Sequence, residues 1–193
     1  MISREEACLD ILREAATIGA DNGATALSEL ANKRVDVDVP NVYHARLDEV
    51  QAIIGRSEVV VGIRLIFDGE RPGSFFLLIK EEDALSLLTM VLGRKVERAD
   101  EFAISAILEI GNILVGVFLT ALTKFLGGTL RQSPPIMKVD MIGAMIEETL
   151  AEYGRITDKI WLADIRFMIE GKALGGRLLF IPFFDIMREL LGR

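Results

Sequence analysis

The chain has 193 residues, 51% of them hydrophobic and 26% charged, with a formal net charge of −7. That length suits one sizeable domain or two small fused halves, and that apolar content fills a core, so disorder is excluded as the organising state. An acidic balance without a basic stripe excludes the usual nucleic-acid footprint and points to a protein partner.

The single cysteine, Cys8, rules out an intrachain disulfide and a cysteine metal cage, and fits a reducing cytoplasm. The only histidine, His44, lies in a polar segment with no nucleophile motif nearby, so a serine–histidine triad finds no support.

In chain order, apolar residues at helical spacing predict a long helix over 3–31. Its acidic, amphipathic start is unlike a secretory signal. Alternation in Val35-Asp36-Val37-Asp38-Val39 predicts an extended segment before Pro40, then a short helix near 46–54. Two β-rich runs, 58–68 and 73–80, flank the turn residues Asp68-Gly69-Glu70-Arg71-Pro72 and read as a hairpin. A helix over 81–92 follows. The cycle then repeats, with a long helix over 100–126 stopped by Gly127-Gly128 and a helix at 140–152. A second hairpin, over 158–170 and 174–181, turns at Glu170-Gly171-Lys172, and a last helix covers 183–191. The sum is an α/β fold with a mostly antiparallel sheet shared by both halves and covered by helices.

The repetition is visible residue by residue. A shift of 95 places Thr25-Ala26-Leu27 on Thr120-Ala121-Leu122, Glu14 on Glu109 and Pro40 on Pro135. Further on the offset drifts, so that Arg64-Leu65-Ile66-Phe67 meets Asp164-Ile165-Arg166-Phe167, and Gly73 meets Gly176. Two copies, about 1–96 and 97–193, imply a single domain with pseudo-two-fold symmetry rather than a solenoid.

Two stretches invite stronger readings. Residues 102–123 are long and apolar enough to span a bilayer, but they carry Glu109 mid-span, which costs about 2.5–3.5 kcal/mol, so a buried core helix is expected and no membrane. Gly19-Ala20-Asp21-Asn22-Gly23 has no preceding strand and no lysine, so it reads as close helix packing rather than a phosphate loop.

Ser105, Glu109 and Asn112 are spaced four and three residues apart and share one face of the second long helix. Asparagine is a poor residue for a helix interior, and Gly111 beside it leaves the backbone open to close approach. Spacing alone leaves three readings open: a solvated face, a buried polar network between the halves, or a site. The matching positions of the first helix are Asp10, Glu14 and Thr17. From Asn112 to Pro135 there are 22 intervening residues, and from Thr17 to Pro40 again 22.

The pattern [Asp/Ser]-x3-Glu-x2-[Asn/Thr]-x22-Pro is thus present twice. With the run Glu109-Ile110-Gly111-Asn112-Ile113, it resembles the CheC-type phosphatases of bacterial and archaeal chemotaxis over essentially the whole chain. The resemblance implies hydrolysis of the aspartyl phosphate of the response regulator CheY. In that setting Glu109 contacts the regulator's active-site lysine and Asn112 orients the attacking water. Ser105 edges the docking face, Pro135 shapes the adjoining segment, and Mg²⁺ belongs to the regulator, leaving this chain without a cofactor of its own. It further implies partnership with the deamidase CheD, with the helix near 140–152 as a docking candidate through an exposed mixture of apolar and acidic residues. Thr17 departs from the pattern and Asp21 stands where the family usually has glycine. The first site, Asp10, Glu14, Thr17 and Pro40, is therefore expected to be degenerate, able to bind a regulator without hydrolysing its phosphate.

Overall fold

The computed structural model of the chain describes residues 3–69, 73–126, 129–172 and 176–182. The expected helix over 183–191 and the Gly127-Gly128 stop lie outside the described residues.

The first half contains α1 (Arg4–Ala31), β1 (Val35–Val37), β2 (Asn41–Arg46), α2 (Leu47–Ile54), β3 (Val59–Gly69), β4 (Gly73–Ile79) and α3 (Glu81–Leu92). The second contains α4 (Glu101–Leu126), β5 (Leu130–Gln132), β6 (Ile136–Met141), α5 (Ile142–Tyr153), β7 (Lys159–Ile169) and β8 (Arg177–Pro182). Local chemistry sets the ends of the long helices. Ser3 Oγ accepts from the Glu6 amide at 3.1 Å while Glu6 Oε2 accepts from the Ser3 amide at 2.7 Å, a reciprocal cap on α1. Asn32 ends that helix in the left-handed region at φ 49°. Asp100 caps α4 by accepting from the Ala103 amide at 2.8 Å.

Among the described residues all eight strands join one antiparallel sheet, with β4 and β8 at its centre. Each half lends its short strands to the other. β1 and β2 pair with β7, and β5 and β6 pair with β3. The registers correspond: Val35 faces Ile169 as Leu130 faces Gly69, and Asn41 faces Asp164 as Ile136 faces Arg64. The drift in offset has a local cause, since α5 has 12 residues where α2 has 8, one helical turn more.

The central strands read as unbroken apolar runs because both faces are covered. Phe75, Leu77 and Ile79 of β4 meet α1, α3 and α4 in one core, while Phe76 and Leu78 meet the residues of α2 and α5 in a second. On the first face Phe75 stacks on Phe180 with centroids 4.8 Å apart, and Phe118 of α4 packs edge-on to Phe75 at 5.0 Å. One charged side chain is carried into this interior. Asp164, 2% exposed, accepts from Arg177 at 2.6 and 2.7 Å, and Arg177 also donates to the Ile54 carbonyl at the end of α2.

By length and composition α4 could cross a membrane. Here its apolar positions, Ala103, Ile107, Ile110, Leu114 and Phe118 among them, are buried in the core it shares with α1 and the sheet. Three strands escape the sequence pattern, β2, β5 and β6. β5 has only three residues, and β2 and β6 have one buried residue between them, with Lys138 and Asp140 of β6 at a sheet edge, so no apolar run marks them.

Helices α1 and α4 cross antiparallel, with Gly19 against Phe118 and Gly23 against Leu114. A Cβ at Gly19 would stand 2.5 Å from the Phe118 ring, which packs against both Phe75 and Phe180. Gly19→Leu should therefore lower the stability by about 3 kcal/mol, at the upper end of overpacking costs, read as a fall in the urea midpoint. An unchanged midpoint would mean that the helices do not meet at this residue.

Candidate functional site

The polar stripe of α4 faces outward along the helix. Ser105 and Glu109 are exposed and Asn112 is half-buried, one turn above a row of core residues. Gly111 does not serve the outer face as its position beside Asn112 suggests. It is buried, and a Cβ there would stand 3.1 Å from Ile63 Cγ2, so the close approach is to β3 of the same chain. That contact seats α4 on the sheet and fixes which side of the helix is left outside.

Asn112 is held from two sides. Its Nδ2 lies 3.5 Å from Glu109 Oε2, and its Oδ1 accepts from Gln132 Nε2 at 2.5 Å. The same Gln132 nitrogen reaches the Asn112 main-chain carbonyl at 3.4 Å. Gln132 ends β5, the strand on which the chain returns past α4, and three residues later Pro135 leads into β6. The spacing to proline is therefore the path of a loop that runs up the helix and comes back beside it. Gln132 is the member of this site that the helix pattern alone does not reveal. The available signal is the 95-residue shift, which sets Gln132 against Val37, a polar residue against an apolar one at the same register position.

The first stripe is built differently. Asp10 and Glu14 are exposed and Pro40 is buried between β1 and β2, but Asp10 is drawn into an ion pair with Arg13 at 2.8 Å. The Thr17 hydroxyl donates to the Arg13 carbonyl at 2.8 Å, within its own helix. With Val37 in place of glutamine, nothing equivalent to the Asn112–Gln132 pair can form. The antiparallel crossing of α1 and α4 puts the two stripes toward opposite ends of the helix pair.

Glu5 of α1 makes a further contact, accepting from His44 Nδ1 at 2.8 Å, and this hydrogen bond holds the Glu5 carboxyl below its ordinary range. His44 in turn stacks on Trp161 with centroids 3.9 Å apart, so the only histidine is a packing group of β2. Helix α5 differs from its expected surface. Ile142, Ile146, Leu150 and Tyr153 point into the core, which leaves a mainly acidic stripe through Glu147, Glu148 and Glu152, of which Glu148 pairs with Arg64 at 2.7 Å. Among the described residues no group of three or more histidine, cysteine or acidic side chains could hold a metal ion.

Residues 60–151 match the family model of the chemotaxis phosphatase CheX, a span that takes in α4 with Glu109 and Asn112. The CheY-P phosphatase CheC of Bacillus subtilis is 30% identical over 96% of this chain and 93% of its own length. Among solved structures, FliY of Thermotoga maritima superposes with a TM-score of 0.68 at 20% identity, covering 96% of this chain and 94% of that one. The CheX of a CheX–CheY–BeF3–Mg²⁺ complex from Borrelia burgdorferi superposes with a TM-score of 0.57 at 14% identity, covering 86% and 95%. Both structures have the same fold of helices on a curled antiparallel sheet. With the relation to CheC running nearly end to end, the chain belongs to the CheC/CheX/FliY family of CheY-P phosphatases.

Proposed function

We propose that the chain, as one domain of two repeats, hydrolyses the aspartyl phosphate of a CheY-type response regulator, using the α4 stripe. The observation that carries this reading is the amide of Asn112, half-buried on an otherwise outward face and fixed by Gln132 at 2.5 Å. Phosphoryl transfer asks little covalent chemistry of a protein, so the effective contribution is to place a water in line with the phosphorus. An amide suits this because it accepts and donates at once, and a fixed amide loses no rotamer freedom when the regulator arrives. Exposed Glu109, one turn earlier, is free to pair with a lysine of the regulator and set the register of docking. Ser105 extends that docking edge, and Pro135 sets the path of the segment that carries Gln132.

The metal that neutralises the phosphoryl oxygens is assigned to the regulator. A CheX of the same fold is known in a complex that contains CheY, BeF3 and Mg²⁺. The first stripe is assigned a binding role without hydrolysis, because Thr17 is tied to its own helix and Val37 offers no amide support. A CheD-type deamidase is the proposed second partner, now to be met on the acidic stripe of α5 rather than on apolar residues. The compartment proposed is the cytoplasm, where the regulator works.

Phosphate release from phosphorylated CheY is the direct test. Asn112→Ala should lower the rate by about 10²–10³-fold, the range seen when one positioned donor is removed from a reacting centre, while Glu14→Ala on α1 should leave it nearly unchanged. A rate untouched by Asn112→Ala would end the water-orienting role, and equal damage from Glu14→Ala and Glu109→Ala would end the one-site reading.

The support from Gln132 gives a separate expectation. Gln132→Leu should slow release by about tenfold through a looser Asn112, with binding of the regulator retained. In the Asn112→Ala background, Thr17→Asn combined with Val37→Gln should recover activity that Thr17→Asn alone does not. Equal recovery by both would show that the glutamine is dispensable.

A further inference from the structure

Asn112 and Gln132 each end in an amide, and an amide has a direction, since its oxygen accepts and its nitrogen donates. Three contacts bear on that direction. Asn112 Nδ2 lies 3.5 Å from Glu109 Oε2, Gln132 Nε2 lies 2.5 Å from Asn112 Oδ1, and the same Nε2 lies 3.4 Å from the Asn112 main-chain carbonyl. The Glu109 carboxylate and the main-chain carbonyl can only accept. Turning over the Asn112 amide alone would set nitrogen against nitrogen, and oxygen against the carboxylate. Turning over Gln132 alone would set oxygen against oxygen. Turning over both would leave the Gln132 oxygen on the main-chain carbonyl and the Asn112 oxygen on Glu109. Only the order from Gln132 through Asn112 to Glu109 is free of such like pairs.

The fold gives something up to keep this order. Gln132 Oε1 is buried and has no hydrogen-bond partner among the described residues. A Cβ at Gly116 would stand 3.7 Å from it, and a glycine there offers no side-chain proton. A buried acceptor is normally met. Here it stays unmet while Nε2 serves both acceptors of Asn112, which is what a group that directs another would show. With Oδ1 turned to β5, Asn112 turns Nδ2 toward exposed Glu109 and the outer face. Nδ2 carries two protons, of which Glu109 takes one. What Asn112 presents to a docked regulator is therefore a donor. The first stripe has no counterpart, because Val37 carries no amide and the Thr17 hydroxyl donates within its own helix.

We infer, resting on the proposed phosphatase activity, that Gln132 is a positioning residue that sets the direction of the Asn112 amide, so that the nitrogen of Asn112 rather than its oxygen meets the attacking water. Nδ2 donates a hydrogen bond to one lone pair of the water, and the other lone pair is aimed at phosphorus. As the new O–P bond forms, the bond from phosphorus to the aspartyl oxygen breaks and its electron pair stays on the aspartate. The proton of the water passes to a phosphoryl oxygen and not to Asn112, whose oxygen is held by Gln132. The products are inorganic phosphate and a free aspartate carboxylate. Asn112 thus orients the water without serving as its base.

Side-chain amide exchange, followed by nitrogen-15 NMR on the full wild-type chain, reads the direction without any substitution. The Nδ2 protons of Asn112 should exchange with water as an exposed amide does, and the Nε2 protons of Gln132 far more slowly. Equal protection of the two amides, or greater protection of Asn112, would overturn the inference. Phosphate release from phosphorylated CheY supplies the functional half, measured at about pH 8.5, well above the ordinary carboxyl range. Gln132→Met keeps the bulk without a donor or an acceptor, and should slow release about tenfold through lost positioning. Gln132→Glu keeps the shape but can only accept, which turns the Asn112 amide over. It should slow release by about 10²–10³-fold, as loss of a positioned donor does, with binding of the beryllium fluoride form of the regulator retained. In that variant the Nδ2 protons of Asn112 should become protected, a change that loosening alone does not produce. Release by Gln132→Glu as fast as by Gln132→Met would show that the oxygen faces the water. A wild type that releases no phosphate would end the phosphatase reading instead, and the exchange rates would still decide the direction of the amide, as they would if Gln132→Glu failed to fold.

Discussion

The antiparallel pairing of β4 with β8 is the constraint on which the rest depends. Phe76 pairs with Leu179 at the centre of this contact, 103 residues apart in sequence. These two strands are buried on both faces, and the described helices lie over them, α1, α3 and α4 above and α2 and α5 below. The first face is keyed by aromatic rings. Phe75 and Phe180 come from the two central strands, and Phe118 rises from α4 to meet both. Phe118 in turn sets the crossing of α1, where only a residue without a side chain fits at position 19. The positions of the two stripes on the outside of the helix pair follow from this chain of contacts. The residues that face solvent are those left over when the ring cluster and the Gly111–Ile63 contact have fixed each helix about its axis.

Exchange of strands between the halves ties the two together more tightly than docking would. β3 belongs to the first half but receives β5 and β6 from the second, and β7 does the reverse. Neither half completes its own sheet. The consequence for the site is specific. Gln132 reaches Asn112 from β5, and β5 is placed by its ladder to Phe67, Asp68 and Gly69 of the opposite half. The amide on α4 is therefore positioned through a strand of the other repeat. The buried Asp164–Arg177 pair has no acidic counterpart at position 64, where an arginine stands and reaches outward to Glu148 and Glu152. The two halves share a path and have diverged in what each interior position carries.

Much of this is legible in the sequence, and the reasons are physical. The long helices and the polar stripe have a helical period because one face of each helix is buried, and the central strands show as unbroken apolar runs because both of their faces are. The repeat is legible because the same path needs the same spacing, as with the 22 residues between Asn112 and Pro135. What is lost is local pairing at the rim. β2, β5 and β6 have no run of apolar residues because each lies at or near an edge, and β6 is polar on one side. Gln132 is lost for a related reason. Its role rests on one contact across 20 residues of chain, and helix spacing carries no information about what returns on the neighbouring strand. Gly111 misleads because a glycine on a helix next to a polar residue reads the same whether its bare side turns toward a partner or toward the sheet.

The two stripes differ in how the residue at their third position is held. Both carry an acid at the first position of the Glu-x2 motif, both lie on long antiparallel helices, and both are followed by a return strand and a proline. They differ at the two positions that touch each other, Asn112 with Gln132 against Thr17 with Val37. A threonine on a helix finds its own acceptor one turn back and needs no help from a strand. The Asn112 amide makes no such bond to its own helix backbone and is held instead by Glu109 and Gln132. Glutamine on β5 does this with the amide proton that valine lacks. Asn112 and Gln132 thus behave as one unit, and a change at either position alone would leave a polar group without its purpose.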